Sequence, residues 1–223
     1  MPLPSLPAVK AYVFDAYGTL FDVNSAVMRH EARIGAEARA FSILWRQKQL
    51  EYSWILSLAG RFTDFWTLTE RALDYAFASF PGVDRALRSE LLAAYRVLDA
   101  YPDVPEVLRR LRKKGLKTAI LSNGEPSMLA DAIASAGIGG LLDHVFSVSS
   151  VGIYKTDARA YAQIREPLGA RADEIGFVSS NRWDVAGAAA FGLTPIWVNR
   201  TGAPDEYGDL APVGVVRSLA ELG

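Results

Sequence analysis

Cysteine is absent from the sequence. That excludes disulfides, thiol nucleophiles and thiolate metal sites, and it fits a reducing compartment. Histidine is almost as scarce. His30 and His144 are the only two, far apart and without helical ligand spacing. Both read as structural or surface residues, which argues against Ser–His catalysis and histidine-bound zinc. There is no excess of either charge: 24 basic and 25 acidic residues leave a formal net charge of -1. A chain so balanced has no electrostatic footprint for nucleic acid or anionic lipid. No stretch offers the ~18 uninterrupted apolar residues of a membrane span. The N-terminal "MPLPSLPAVKAYVFDAYG" lacks a basic run followed by a long apolar one, so no signal peptide is expected. The default expectation is a soluble cytoplasmic protein with no nucleic-acid or membrane partner.

What is present suffices for a core. The 223 residues are half hydrophobic and 22% charged, enough for one large domain or a domain with a sizeable insertion. Strand-like apolar runs recur as "AYVFDA" at 11–16, "KTAILSNG" at 117–124, "HVFSVSS" at 144–150, "EIGFVSSN" at 174–181, "TPIWVNR" at 194–200 and "VGVV" at 213–216. Helical patterns lie between them. "DVPEVLRRLRKKG" at 103–115 carries its leucines on one face and stops at Gly115; "SMLADAIASAG" at 127–137 and the small-residue stretch "DVAGAAAFG" at 184–192 repeat the plan. This alternation predicts an α/β fold with a doubly wound, mostly parallel sheet. The interval 22–98 breaks it. It is helical in pattern, rich in aromatics and free of proline before Pro81, and it is expected to form an all-helical cap over the strand ends. The predicted division is 1–21 with 99–223 as the Rossmann-like core and 22–98 as the cap. A single mixed domain without moving parts is the alternative.

In open parallel sheets, sites form beyond the carboxyl ends of the strands. Four such ends here carry polar groups: Asp15 and Thr19 after the first strand, Ser122-Asn123-Gly124 after the second, Tyr154-Lys155 after the third, and "SSNRWD", Ser179 to Asp184, after the fourth. Ser127 and Asp184 also suit helix N-caps.

Asp-x-x-Gly-Thr on the first strand, Ser-Asn-Gly on the second, a later lysine and a final acidic loop resemble the haloacid dehalogenase superfamily, over nearly the whole chain. In that superfamily the first aspartate is a nucleophile. Its phosphatases carry a second acid two residues later and bind magnesium with further acids in the last motif. This chain has Tyr17 at that second position and Asp184 as the only acid of the last motif, with Ser180 and Asn181 in places where phosphatases tend to have acids. A phenol with its pKa near 10 stays neutral at pH 7 and adds no charge to a magnesium site. No metal and no cofactor are therefore expected, and the leaving group should be one that needs no proton, as a halide does.

The finer pattern agrees. "DAYGTLFD", "WRQKQLEYSW", "ILSNG" and "SSNRWDVAGA" resemble the L-2-haloacid dehalogenase branch, the cap segment being the most specific. The resemblance implies hydrolysis of an (S)-2-haloalkanoic acid to the (R)-2-hydroxyalkanoic acid through an ester on Asp15. It implies Arg46 and Asn123 on the departing halide, Tyr17 and Trp183 as walls of its pocket, and Ser122 on the substrate carboxylate. Lys155 balances charge and orients Asp15, Thr19 holds Asp15, and Ser179, Asn181 and Asp184 hold and activate water. Tyr161 follows from its spacing to the lysine, while Gln47, Leu50 and Phe65 line the cap side. The resemblance also implies a homodimer.

One departure stands out. The family usually has Lys-Pro-x-Pro, whereas this chain reads "YKTDARAY", so Thr156 and Ala158 leave backbone freedom that proline removes. It puts the aim of Lys155 and Tyr161 in question. Two other readings stay open at this level, a phosphatase of the same fold and a non-catalytic protein that binds a small carboxylate.

Overall fold

The structure is a computed structural model that describes residues 9–222. Residues 1–8, part of the N-terminal stretch that bears on a signal peptide and of the first core segment, lie outside the described residues.

Six strands form one parallel sheet: β1 (Ala11–Phe14), β2 (Lys117–Ser122), β3 (His144–Ser147), β4 (Ile175–Ser179), β5 (Thr194–Val198) and β6 (Gly214–Val216). Their spatial order is β3-β2-β1-β4-β5-β6. The chain walks outward from β1 to β3, then returns to the other side of β1 for β4 to β6. That reversal is the doubly wound plan, and it opens a crevice at the carboxyl ends of β1 and β4. The register places Phe14 opposite both Ile120 and Val178, so the residue after Phe14 emerges between β2 and β4. Strands β1, β4 and β5 are buried along their whole length. This burial explains why they read as continuous apolar runs rather than alternating ones.

Ten helices accompany the sheet among the described residues: α1 (Ser25–Met28), α2 (Glu31–Ile34), α3 (Ala38–Leu58), α4 (Phe65–Ser79), α5 (Arg88–Arg96), α6 (Val104–Lys113), α7 (Pro126–Ser135), α8 (Ala158–Ala162), α9 (Arg165–Leu168) and α10 (Arg182–Phe191). Helix α6 shows the local logic. Val104, Val107, Leu108 and Leu111 recur at helical spacing and are all buried, each stabilising the fold by about 1.5–3 kcal/mol. Pro105 sits in the first turn, and Arg110, Arg112 and Lys113 in the last, where they suit the helix dipole. Helix α6 packs on β2, α7 on β3, and α10 on β4 and β5.

Helices α1 to α5 all fall between β1 and α6, forming the inserted helical cap, whose largest contact is α3 against α4. The insertion is not helical throughout, because residues 59–64 and 80–84 are non-helical and let the chain reverse. The buried seam of α3 reads Phe41, Trp45, Gln49, Ser53 at successive i+4 steps. Two polar residues in that seam need partners, since an unpaired buried polar group is costly. Several hydrogen bonds tie the cap to the core. The Tyr154 N–H donates to Ser57 Oγ at 3.3 Å, the Tyr154 hydroxyl to the Thr63 carbonyl, and the Phe65 N–H to Glu125 Oε1 at 3.0 Å.

Two glycines have specific reasons. Gly18 adopts φ +94° in the turn after β1, where its N–H donates to the Phe21 carbonyl at 2.7 Å. Gly187, on the inner face of α10, has no room for a side chain. A Cβ there would collide with the Tyr161 hydroxyl and come within 2.8 Å of Thr156 Cβ. The small residues of α10 therefore let Thr156 and Tyr161 pack directly on the helix. Gly187→Ala is expected to lower stability by about 1–3 kcal/mol through overpacking. An unchanged unfolding midpoint in urea for that variant would rule out the close approach.

Candidate active site

Asp15 leaves the end of β1 with its N–H on the Val178 carbonyl at 2.9 Å, so the strand ladder itself aims it into the crevice. The residue is only 5% exposed. The two carboxylate oxygens differ. Oδ2 accepts from Asn181 Nδ2 at 2.7 Å and Thr19 Oγ1 at 3.1 Å, with Ser179 Oγ at 3.5 Å. Oδ1 accepts from Lys155 Nζ alone, at 3.1 Å. The Thr19 oxygen is itself fixed by the Ser180 N–H at 2.8 Å, which leaves its only proton for Asp15. One oxygen is thus held by several donors, while the other keeps free lone pairs.

Lys155 is fully buried, with Nζ 3.1 Å from Asp15 and 2.8 Å from Asp184 Oδ2 and 5.1 Å from the centre of the Phe177 ring. Burial acts to lower its pKa, but the Asp15 and Asp184 carboxylates outweigh that and hold it above the ordinary lysine value. Asp184 is also fully buried. Burial pushes its pKa up to about 6, against the pull of Lys155, with Asp15 adding to the rise and the Tyr161 hydrogen bond opposing it. The Tyr161 hydroxyl donates to Asp184 Oδ1 at 2.7 Å. Lys155 and Tyr161 are therefore aimed at the two carboxylates even though Thr156 and Ala158 stand where the family has prolines. Asp184 lies inside the first turn of α10 and caps nothing; the N-cap residue is Asn181. Ser127 is likewise inside α7, whose N-cap residue is Glu125.

Around Asp15 the other walls are aromatic and cationic. The Tyr17 ring stacks on Tyr95 at 5.8 Å and on Phe65 at 6.4 Å, and its buried hydroxyl has no hydrogen-bond partner among the described residues. Burial holds that phenol well above its usual pKa, so it stays a donor. Arg46, half-buried on α3, donates Nη2 to the Tyr17 carbonyl at 3.3 Å. Asn123 accepts the Lys155 N–H on Oδ1 at 3.1 Å, which turns its NH₂ the other way. Ser122 Oγ accepts the Gly124 N–H at 3.0 Å and keeps its proton to give. Phe65 is buried and touches both Tyr17 and Tyr154.

Three expected residues lie further out. Trp183 is half-buried and packs edge-on against Trp54 of the cap at 5.5 Å. The two tryptophans line an apolar cleft of about 570 Å³ that reaches Lys155 but not Asp15. Leu50 is half-buried, and Gln47 is exposed on α3. Gln47 falls off the buried Phe41–Trp45–Gln49–Ser53 seam, and Gln49 is the glutamine that packs inside the cap. Tyr95 was missed altogether, because one tyrosine in an amphipathic helix carries no spacing signal. Gln49 lies within the "WRQKQLEYSW" segment, yet nothing in the sequence separates it from Gln47 except helical phase.

The donor set does not suit magnesium. A lysine ammonium bridges the two carboxylates, a neutral amide and two hydroxyls fill Asp15 Oδ2, and Tyr17 is buried in an aromatic stack. No group of three or more His, Cys, Asp or Glu side chains converges among the described residues.

Known proteins resemble this chain in sequence and in fold. A family model for haloacid dehalogenase-like hydrolases matches residues 9–192. The chain is 47% identical to (S)-2-haloacid dehalogenase 1 of Pseudomonas sp. (strain CBS-3) over 96% of this chain and 95% of that one. Its backbone superposes with a TM-score of 0.94 on the crystal structure of a dehalogenase with an intermediate complex, at 44% identity and 96% coverage of each chain. It superposes at 0.87 on the L-2-haloacid dehalogenase of Xanthobacter autotrophicus with chloropropionic acid covalently bound, at 38% identity and again 96% of each.

The Asp184 carboxyl fixes a pH dependence. Its folded pKa, about 6, lies above the ordinary 3.8, so its contribution to stability is full below 3.8 and is lost as pH rises through about 6. If the charged form serves turnover, kcat rises with pH around the same midpoint. Tyr161→Phe removes a hydrogen bond that favours the charged form and should move that midpoint upward. A kcat profile flat from about pH 5 to 8, or a downward move in the variant, would count against this role for Asp184.

Proposed function

The chain belongs to the haloacid dehalogenase-like hydrolase family, and from that premise we propose that it hydrolyses (S)-2-haloalkanoic acids to (R)-2-hydroxyalkanoic acids and halide without a metal ion. The observation that carries this reading is the asymmetric hold on Asp15. Its Oδ2 is held by three donors and its Oδ1 by one lysine, with an arginine and a neutral tyrosine nearby where a phosphatase would have a second acid.

Asp15 Oδ1 attacks the halogen-bearing carbon from the side opposite the halogen. The new O–C bond forms as the C–X bond breaks, its electron pair leaving with the halide, and the carbon inverts. Arg46, the NH₂ of Asn123 and the Tyr17 hydroxyl receive the halide. Charge on the halogen grows only in the transition state, so a fixed cation there lowers the barrier rather than merely tightening substrate binding. The Ser122 hydroxyl and nearby backbone amides hold the substrate carboxylate, while Phe65 and Leu50 cover the alkyl part and Trp183 closes the outer side.

Water then adds to Cγ of the ester. Asn181 and Ser179 place it, and Asp184 is the group able to take its proton. Collapse leaves one water oxygen on Asp15 and expels the alkoxide, whose oxygen came from Asp15; the alkoxide takes the water's remaining proton to become the hydroxy acid, and Asp184 gives its proton up to solvent. Lys155 and Tyr161 keep Asp184 and Asp15 apart in charge and fixed in place. Residues 22–98 act as the cap that brings Arg46 to the core.

We assign the enzyme to the cytoplasm, which the absence of cysteine fits; no described helix is long and apolar enough to cross a membrane. We also assign it a homodimeric state, for which Ile43, Ile55 and Leu58, exposed on α3, offer apolar contact area. A mass near twice the 24.3 kDa chain in sedimentation equilibrium supports the dimer, and a single-chain mass removes it.

The chemistry is tested by a single turnover of (S)-2-chloropropionate in ¹⁸O-water, with excess enzyme dialysed against EDTA. Halide should be released, label should enter Asp15, and the first hydroxy acid should be unlabelled. Label found directly in that product excludes the ester, and loss of turnover on chelation excludes metal independence.

A further inference from the structure

Phe65, the cap residue placed on the alkyl side of the substrate, is held from outside the cap. It is the first residue of α4 and fully buried, and the two rings packed on it, Tyr17 at 6.4 Å and Tyr154 at 5.9 Å, both belong to the core. Its backbone is tied in the same direction. The Phe65 N–H donates to Glu125 Oε1 at 3.0 Å, and two residues earlier the Thr63 carbonyl accepts the Tyr154 hydroxyl. Glu125 Oε1 also accepts from Ser149 Oγ at 3.0 Å, which holds the carboxylate in place.

The use made of Glu125 is not the one its position suggests. It stands at the N-cap of α7, where a side chain ordinarily accepts an N–H of its own helix, yet it makes no such bond. Glutamate is not among the preferred N-cap residues, so capping α7 does not account for it. Its carboxylate crosses to the first turn of α4 instead. There Asp64, the N-cap residue of α4, accepts the Thr67 N–H at 2.7 Å, and Glu125 takes the Phe65 N–H. The first amides of a helix have no partner within it, and the helix dipole favours an anion beside them. A core carboxylate is therefore well suited to grip the start of a cap helix.

The loop that carries Glu125 is the one that serves the site. Ser122 keeps its hydroxyl proton to give, Asn123 Oδ1 accepts the Lys155 N–H at 3.1 Å, and the Gly124 carbonyl accepts from Ser147 Oγ at 2.7 Å. Glu125 is the next residue. A wall fixed by the cap alone would shift with any displacement of the cap. Tied to this loop, Phe65 keeps a set distance from the group that anchors the substrate carboxylate.

We propose that Glu125 is a positioning residue that sets Phe65 against the 2-substituent of the substrate and so limits its length. The inference rests on the proposed dehalogenase reaction and adds to it what fixes the size of the alkyl site.

Glu125→Ala removes the acceptor, whereas Glu125→Gln keeps a carbonyl oxygen able to accept from both Phe65 and Ser149. For the parent and each variant, kcat/KM is measured with (S)-2-chloropropionate and (S)-2-chlorohexanoate. The ratio of the long substrate to the short one should rise about 3- to 10-fold in Glu125→Ala, since small changes in an apolar pocket change discrimination by factors of this order. In Glu125→Gln it should stay within about twofold of the parent, because the acceptor is retained. In a Phe65→Ala background the wall is already gone, and Glu125→Ala should then leave the ratio where Phe65→Ala alone puts it.

A purely structural role would lower activity on both substrates alike. An unchanged ratio in folded Glu125→Ala overturns the proposal. So does a Glu125→Gln ratio equal to that of Glu125→Ala, or a shift that persists in full without the Phe65 ring. Circular dichroism and thermal melting check the fold. If Glu125→Ala does not fold, Glu125→Ser replaces it with the same ratio as readout, since serine caps α7 well but is too short to reach Phe65. Should the parent chain release no halide from either substrate, the proposed function fails and this inference falls with it, a result distinct from an active parent with an unchanged ratio.

Discussion

The arrangement depends on one buried ammonium. Lys155 lies between Asp15 and Asp184 with no exposure to water, and each carboxylate is tolerable there because the lysine serves both. Two buried carboxylates sharing one cation leave a net negative site, and such a cluster needs further hydrogen-bond donors. Tyr161 supplies one to Asp184, and Thr19, Asn181 and Ser179 supply Asp15 Oδ2. Removing the lysine would leave two buried like charges without a counter-ion. This is the local reason that the loop after β3 is held so closely against α10, with Gly187 yielding the space.

The sheet and the cap contribute different chemistry. Every group on Asp15 comes from the carboxyl ends of parallel strands, where the switch in strand order opens the crevice. The cap adds the positive and aromatic side: Arg46 from α3, Phe65 from α4 and Tyr95 from α5. In the proposed reaction the nucleophile is oriented by the core and the leaving group is received by the cap. The tethers from Tyr154 to Ser57 and from Phe65 to Glu125 keep the two in register.

Much of this was legible in the sequence because strand ends announce themselves. Asp15, Thr19, Ser179, Asn181 and Asp184 follow apolar runs that form the buried strands β1 and β4, Lys155 follows the partly exposed β3, and the structure gathers them within hydrogen-bonding reach of Asp15 or Lys155. The cap was less legible. Its segment stood out as helical and aromatic, but which face turns inward depends on packing against α4 and α5, which periodicity alone does not number. Gln47 and Gln49 look alike in the sequence and end on opposite sides of α3. Tyr95 was invisible for a similar reason, since its importance comes from what it stacks on and not from its neighbours in the chain. The proline-free loop at Lys155 was the one local departure, and close packing on α10 supplies the restraint that proline gives elsewhere.

The stack of Tyr17 between Tyr95 and Phe65 bears on how such a chain diverges. A carboxylate introduced at position 17 would be driven into a pile of aromatic rings belonging to another part of the chain. Drift toward metal-dependent phosphate chemistry is therefore opposed twice, once by the polar groups already on Asp15 and once by rings contributed from elsewhere. Reversal would demand coordinated replacement on two helices as well as at position 17, so the specialisation behaves as a ratchet.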